Sequence, residues 1–166
     1  MSDSEVILRF EGEVESPVGL TFEDLGRMPG ESQVGDVSRF QPGRRGDGVT
    51  LESLLAMAGP RPGATYVTLH ADRDDFHVSV PLAAIRAQGV VVYKLGGEAL
   101  GASDGGPIRL LLRDPAACHA GELDDCANVK YLSRVELTPG RGRDTRPADD
   151  AAHEALHAKA EGPAGG

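Results

Sequence analysis

The feature that most constrains this chain is a succession of short apolar stretches with the period of a strand, each cut off by Gly, Pro or Asp, from Thr65 to Leu137. Side chains of a strand point alternately to its two faces, so a half-buried strand shows apolar residues at every second position. Tyr66 to His70, Phe76 to Val80, Val90 to Leu95, Ile108 to Leu112 and Leu132 to Leu137 read as strands on this basis. Val6 to Val14 alternates in the same way through Val6, Leu8 and Phe10 before Pro17 and Gly19 break it, and Val34 to Phe40 reads as a further strand.

Helical signals are few and short. Thr21 is followed three residues on by Asp24, with Phe22 and Leu25 as an apolar pair, which predicts a capped helix ended by Met28, Pro29 and Gly30. A second begins at Thr50 as N-cap, places Leu51, Leu54, Leu55 and Ala58 on one face, and stops at Gly59 and Pro60. Pro81 opens a helical turn over Leu82 to Ala87. Gln41 to Gly48 is a Gly- and Pro-rich loop that concentrates Arg44 and Arg45. Strands in runs with short helices between them, rather than regular alternation, point to an α+β class, a mixed β fold, over a doubly wound sheet.

Composition narrows the functions. Aromatic residues make up 4% of the 166 residues and Trp is absent, so the core must be mostly aliphatic. A formal charge of -9 repels phosphate backbones and anionic bilayers, which excludes nucleic acid and membrane surfaces as expected partners. The opening MSDSEVILRF has no basic region leading into an apolar run, and no stretch approaches bilayer-spanning length, so a cytoplasmic protein is expected. Two cysteines exclude a disulfide scaffold. After Thr138 the chain has few large apolar residues and many breakers, which predicts a folded domain over residues 1–138 and a flexible or partly helical tail over residues 139–166.

Several constellations invite a chemical reading. Cys118, His119 and Cys126 in CHAGELDDC are metal-ligand types, but their spacing matches no ligand pair of the usual zinc modules, and a loop with free thiols explains them. His153, Glu154 and His157 spell the zinc-protease motif HEALH without the supported cleft and third ligand that it needs. Asp72, Asp74 and Asp75 around Arg73 fit a polar turn better than a calcium loop. His70 and His77 flank that turn at strand ends, where hydrogen-bonded or exposed imidazoles are the cheaper reading than ligands. The stretch LGGEALGASDGG lacks the Lys-Ser/Thr ending of a phosphate loop.

Taken in order, GEVESPVGLTFEDLGRMP, GVTLESLLAMAGPRPGATYVTLHA, DFHVSVPLAAI, VVVYKLGGEALGASDGGPIRLLL and NVKYLSRVEL resemble the successive segments of the oxidoreductase molybdopterin-binding domain of the sulfite oxidase family. The resemblance spans Val6 to Leu137. It implies a mixed β fold with short helices and a loop-lined pocket for molybdopterin or the molybdenum cofactor. It also implies an oxidoreductase reaction at bound metal, with Arg109, Asn128 and Lys130 as cofactor-binding residues for this small anionic ligand.

Three positions depart from the family pattern. In sulfite-oxidising relatives a cysteine before the Leu-Leu helix ligates molybdenum, whereas SQVGDVSRFQPGRRGDG contains no thiol and places Ser38 near that position. A serine hydroxyl is a poorer ligand for such a site, being less acidic and less polarisable. Phe76 stands where those relatives carry a Tyr, and Asp104 where they carry a His, so that a carboxylate replaces a phosphate donor. Three readings follow: a molybdopterin-binding oxidoreductase domain, a non-catalytic scaffold of that fold binding an anion or a partner, or a small metal or redox module using Cys118 and Cys126.

Overall fold

The computed structural model describes residues 5–113 and 129–145. Strand β1 (Val6–Gly12) pairs antiparallel with β2 (Val18–Thr21), and the capped turn at Thr21 leads into helix α1 (Phe22–Gly26). The cap forms as its sequence predicts: Thr21 Oγ1 accepts from Asp24 N at 3.0 Å, and the Asp24 carboxylate accepts from Thr21 N at 2.9 Å. Strands β3 (Gln33–Val34) and β4 (Asp47–Thr50) follow, then helix α2 (Leu51–Ala58). The remaining elements are β5 (Tyr66–Ala71), β6 (Phe76–Pro81), α3 (Leu82–Ile85), β7 (Gly89–Leu95), β8 (Glu98–Ala99), β9 (Arg109–Leu112) and β10 (Arg134–Thr138).

These strands form two sheets. The first has the order β2-β1-β10-β5-β6, with β1 and β10 parallel and the other pairs antiparallel. The second is centred on β7, which pairs with β4, β8 and β9, while β3 extends it beyond β4. Alternation then decides what each face meets. Leu8 and Phe10 of β1, Val67 and Leu69 of β5, Val78 and Val80 of β6 and Val135 and Leu137 of β10 turn to one main core with α1, α2 and α3. From the second sheet, Val91, Tyr93, Leu110 and Leu112 join that core, whereas Val90, Val92 and Leu111 turn to a smaller cluster with Val34, Val37 and Leu100. Each fully buried Leu, such as Leu54 or Leu55, contributes about 2 kcal/mol of transfer free energy. The mixed β fold with short helices is the one expected from the residues.

Three local expectations fail. The strand expected from Val34 to Phe40 ends at Val34. Asp36 adopts a left-handed conformation with φ 53°, and its carboxylate accepts from Ser38 N, which winds Val37–Arg39 into a tight helical turn. The loop expected through Gly48 gives way at Asp47 to β4, which the partner strand β7 imposes on a sequence with weak strand preference. Val18–Thr21, expected only as a break before a helix, forms the edge strand β2.

Candidate anion-binding site

Arg109 opens β9 between apolar neighbours, and the period of the strand puts it on the same face as Leu111, toward the smaller cluster. It is 6% exposed. Its Nη1 donates to the Asp104 backbone carbonyl at 3.0 Å, while its buried Nε has no partner among the described residues. Burial pushes its pKa down to about 10, and the charge of Arg44 acts in the same direction against Asp104 and Tyr131. Arg109 therefore stays charged at neutral pH, desolvated and with a donor unspent.

The surrounding loops bring more cations to it. The chain at 129–132 runs beside β9, with Leu110 N donating to the Val129 carbonyl and Leu132 N to the Ile108 carbonyl, both at 2.8 Å. This places Lys130 next to Gly105, where an added Cβ would stand 3.1 Å from both Arg109 Nη1 and Lys130 Cγ. Gly105 has φ +91°, so glycine supplies the turn and avoids the crowding that a side chain would bring against the two cations. Tyr131 N donates to the Gly105 carbonyl at 2.8 Å, and the Arg73 guanidinium lies 4.2 Å above the Tyr131 ring. From the other side, Arg45 Nη2 reaches the Asp104 carboxylate at 2.9 and 3.1 Å.

Further along the same face, Arg113 directly follows β9, about 13 Å from Arg109 at the rise of an extended strand. There a cleft of about 470 Å³ is lined by Glu31, Gln33, Val34, Arg39, Phe40, Thr50 and Arg113. Its walls come largely from the segment preceding α2, and among the described residues they offer two guanidinium groups, the Glu31 carboxylate and no thiol or imidazole. The arrangement can hold an extended anion, with positive charge at both ends of one strand face.

The structure thus brings Arg109 and Lys130 together. Asn128, Cys118, His119, Cys126 and the HEALH segment lie outside the described residues. Ser38 is exposed and its hydroxyl donates to the Asp36 carboxylate, so it is held in its own turn. Asp104 is not a bare anion, since Arg45 pairs with it. Phe76 packs against the main core at the mouth of the β5–β6 hairpin. His70 and His77 do meet, buried and hydrogen-bonded to each other, and no cluster suited to a metal ion occurs among the described residues. Arg44 and Arg45 are visible in the sequence as a basic loop, and only the fold connects them to Arg109. The density of arginines in a chain of charge -9 was the available signal.

Arg109, Lys130, Arg44 and Arg45 thus form a cationic cluster around the Gly105 turn on a mixed β scaffold. The family model described as the oxidoreductase molybdopterin binding domain matches residues 45–143, more than half of the chain, and the chain belongs to that family. Among solved structures, it is similar to the sulfane dehydrogenase SoxCD from Paracoccus pantotrophus, with 22% sequence identity and a TM-score of 0.65. That match covers 89% of this chain and 42% of the SoxCD chain, so this chain spans less than half of its neighbour's length, and the likeness is one of fold. No curated protein matches the sequence. No helix among the described residues is long and apolar enough to cross a membrane.

Proposed function

We propose that this domain binds the anionic part of a molybdopterin cofactor beside Arg109, Lys130 and Arg44, with glycine at position 105 keeping side-chain atoms from crowding the two cations. The observation that carries this reading is the Nε of a buried, charged Arg109, which has no partner among the described residues. A buried donor without a partner costs about 1–3 kcal/mol, and a phosphate oxygen meeting it would recover that cost. When bound, such a cofactor supplies oxygen-atom and electron transfer at its metal, which defines the oxidoreductase class. The protein's part is charge and placement. Arg109 and Lys130 hold the anion, Arg45 neutralises Asp104 so that its carboxylate does not repel the ligand, and Arg39 and Arg113 line the cleft at the far end of β9.

The metal end fits less well than the anion end. Among the described residues the cleft lining holds no thiolate and Ser38 is engaged with Asp36, so none of them matches the soft ligand that the metal prefers. This favours, as a second reading, a member that binds the anionic cofactor without metal-centred turnover. Protein isolated from cells that make the cofactor tests both. Oxidised-pterin fluorescence is expected in the wild type and about tenfold weaker in Arg109→Met. Pterin with molybdenum supports the enzyme, and pterin without it supports the second reading. Absence of pterin, or equal pterin in the variant, overturns the site.

A further inference from the structure

The outer face of the first sheet is polar and yet buried. Thr68, His70, His77 and Ser79 are each 4% exposed or less, and they form the cross-strand pairs Thr68 with Ser79 and His70 with His77. Strict alternation would put such residues in water. Residues 139–145 cover them instead, running along β6, the edge strand of the sheet. Gly142 N donates to Ser79 Oγ at 2.8 Å, Ser79 N to Asp144 Oδ2 at 3.0 Å, Thr145 N to the His77 carbonyl at 2.8 Å and His77 N to Thr145 Oγ1 at 2.9 Å. Arg143 Nη2 reaches Asp75 Oδ1 at 3.1 Å. Gly142 is the closest point of this strap, since a side chain there would overlap the Thr68 hydroxyl.

Beneath the strap lies a continuous chain of titratable groups. Glu136 Oε1 sits 2.9 Å from His70 Nε2, His70 Nδ1 lies 2.7 Å from His77 Nδ1, and His77 Nε2 sits 2.8 Å from Asp75 Oδ1. Ionised carboxylates only accept, so each Nε2 carries a proton. Two Nδ1 atoms at this separation bond only when a single proton lies between them. The geometry therefore requires three protons on the two rings and one positive charge on the pair. A fourth proton sets two N–H groups against each other, and loss of the shared one sets two lone pairs against each other.

The charged groups around the pair come from three elements. Glu136 belongs to β10, and Asp72 and Asp75 to the β5–β6 turn, with Arg134 of β10 paired to Asp72 at 2.8 Å. Arg143 and Asp144 belong to the strap. The hydrogen bond from His77, then the charge of Arg143, hold the Asp75 carboxyl below the usual carboxylate range.

We propose that the proton shared by His70 and His77 governs closure of the strap over β6, so that the strap is a pH-gated cover on this sheet edge. His77 couples the two parts, because its ring holds the shared proton and its backbone N–H and carbonyl hold Thr145. Opening, on gain of a fourth proton or loss of the shared one, bares the N–H groups of His77 and Ser79, an edge able to accept another strand.

The test combines nitrogen-15 histidine NMR of the full chain with trypsin cleavage after Arg141 and Arg143, expressed relative to a free peptide of the same sequence. Near neutral pH the spectra are expected to show one shared proton and the strap to be protected. Relative cleavage is expected to rise about tenfold on both the acid and the alkaline side, in step with the ring signals. His77→Gln should be cleaved fast with little pH dependence. Gly142→Val should be cleaved fast at every pH while the ring pair keeps its shared proton. Two independently titrating rings, or relative cleavage that stays flat while the pair titrates, would overturn the proposal. The wild-type measurements decide it even if His77→Gln does not fold.

Discussion

Arg109 and the His70–His77 pair are both polar, buried and enclosed by loops, and they differ in how completely their atoms are matched. Every nitrogen of the two rings has a partner within 2.9 Å. Arg109 donates to a backbone carbonyl, and its Nε has no partner among the described residues. Burying a polar group is cheap only when its bonding capacity is met, so a closed network marks a structural device and an open one marks a place for something else. The same distinction separates the surroundings. Carboxylates flank the rings, whereas among the described residues the carboxylate acting on Arg109, Asp104, is already held by Arg45.

Substitutions should expose this contrast through effects of opposite kind. Arg109→Met is expected to lower cofactor affinity about a hundredfold, the scale of charge-assisted bonds in a desolvated site. The ligand-free domain should melt no earlier, because an unpaired buried charge gives way to an apolar side chain of similar length. A marked drop in its melting temperature would make Arg109 a structural residue and erase the comparison. His77→Leu should act the other way, destabilising the domain by about 2–3 kcal/mol in urea unfolding, since it strands His70 Nδ1 in the interior. Cofactor affinity should barely change.

Two smaller effects sharpen the picture. Asp104→Asn removes the local carboxylate and frees Arg45, and should tighten anion binding by about two- to threefold, measured by titration at low salt. Asp72→Asn tests the rim of the histidine region. The hydrogen bond from Arg134 holds the Asp72 carboxyl well below the usual range, so its contribution is complete above the unfolded carboxylate value and is lost as pH falls toward the folded one. The pair is partly exposed, which limits the loss at neutral pH to below about 1 kcal/mol. Unfolding curves of wild type and Asp72→Asn should converge on acidification.

Much of the fold was legible because it obeys short-range rules. The alternation of β5, β6 and β7 and the capped starts of α1 and α2 depend on neighbours within a few residues. Strand β4 was not legible, since Asp47 and Gly48 are poor strand formers that extend only because β7 supplies the ladder. At the site, Arg109 and Lys130 stood out through the family resemblance. Arg44 and Arg45 entered only once the loop before β4 was seen to reach Asp104 and the field of Arg109.

The sequence alone determined which side chains share a face, where the helices start, and that this acidic chain carries an Arg-rich loop with no thiol between Met28 and Thr50. Tertiary structure decided which of those faces became interior. Alternation assigns Thr68, His70, His77 and Ser79 to one side of a sheet, but it does not say whether water or chain lies above them. Residues 139–145 settle that by contacts more than sixty positions apart in sequence. The open valence of Arg109 has the same origin. A bare sequence lists a donor, and only the packing of three loops around it shows that the donor has been buried and left unmatched among the described residues.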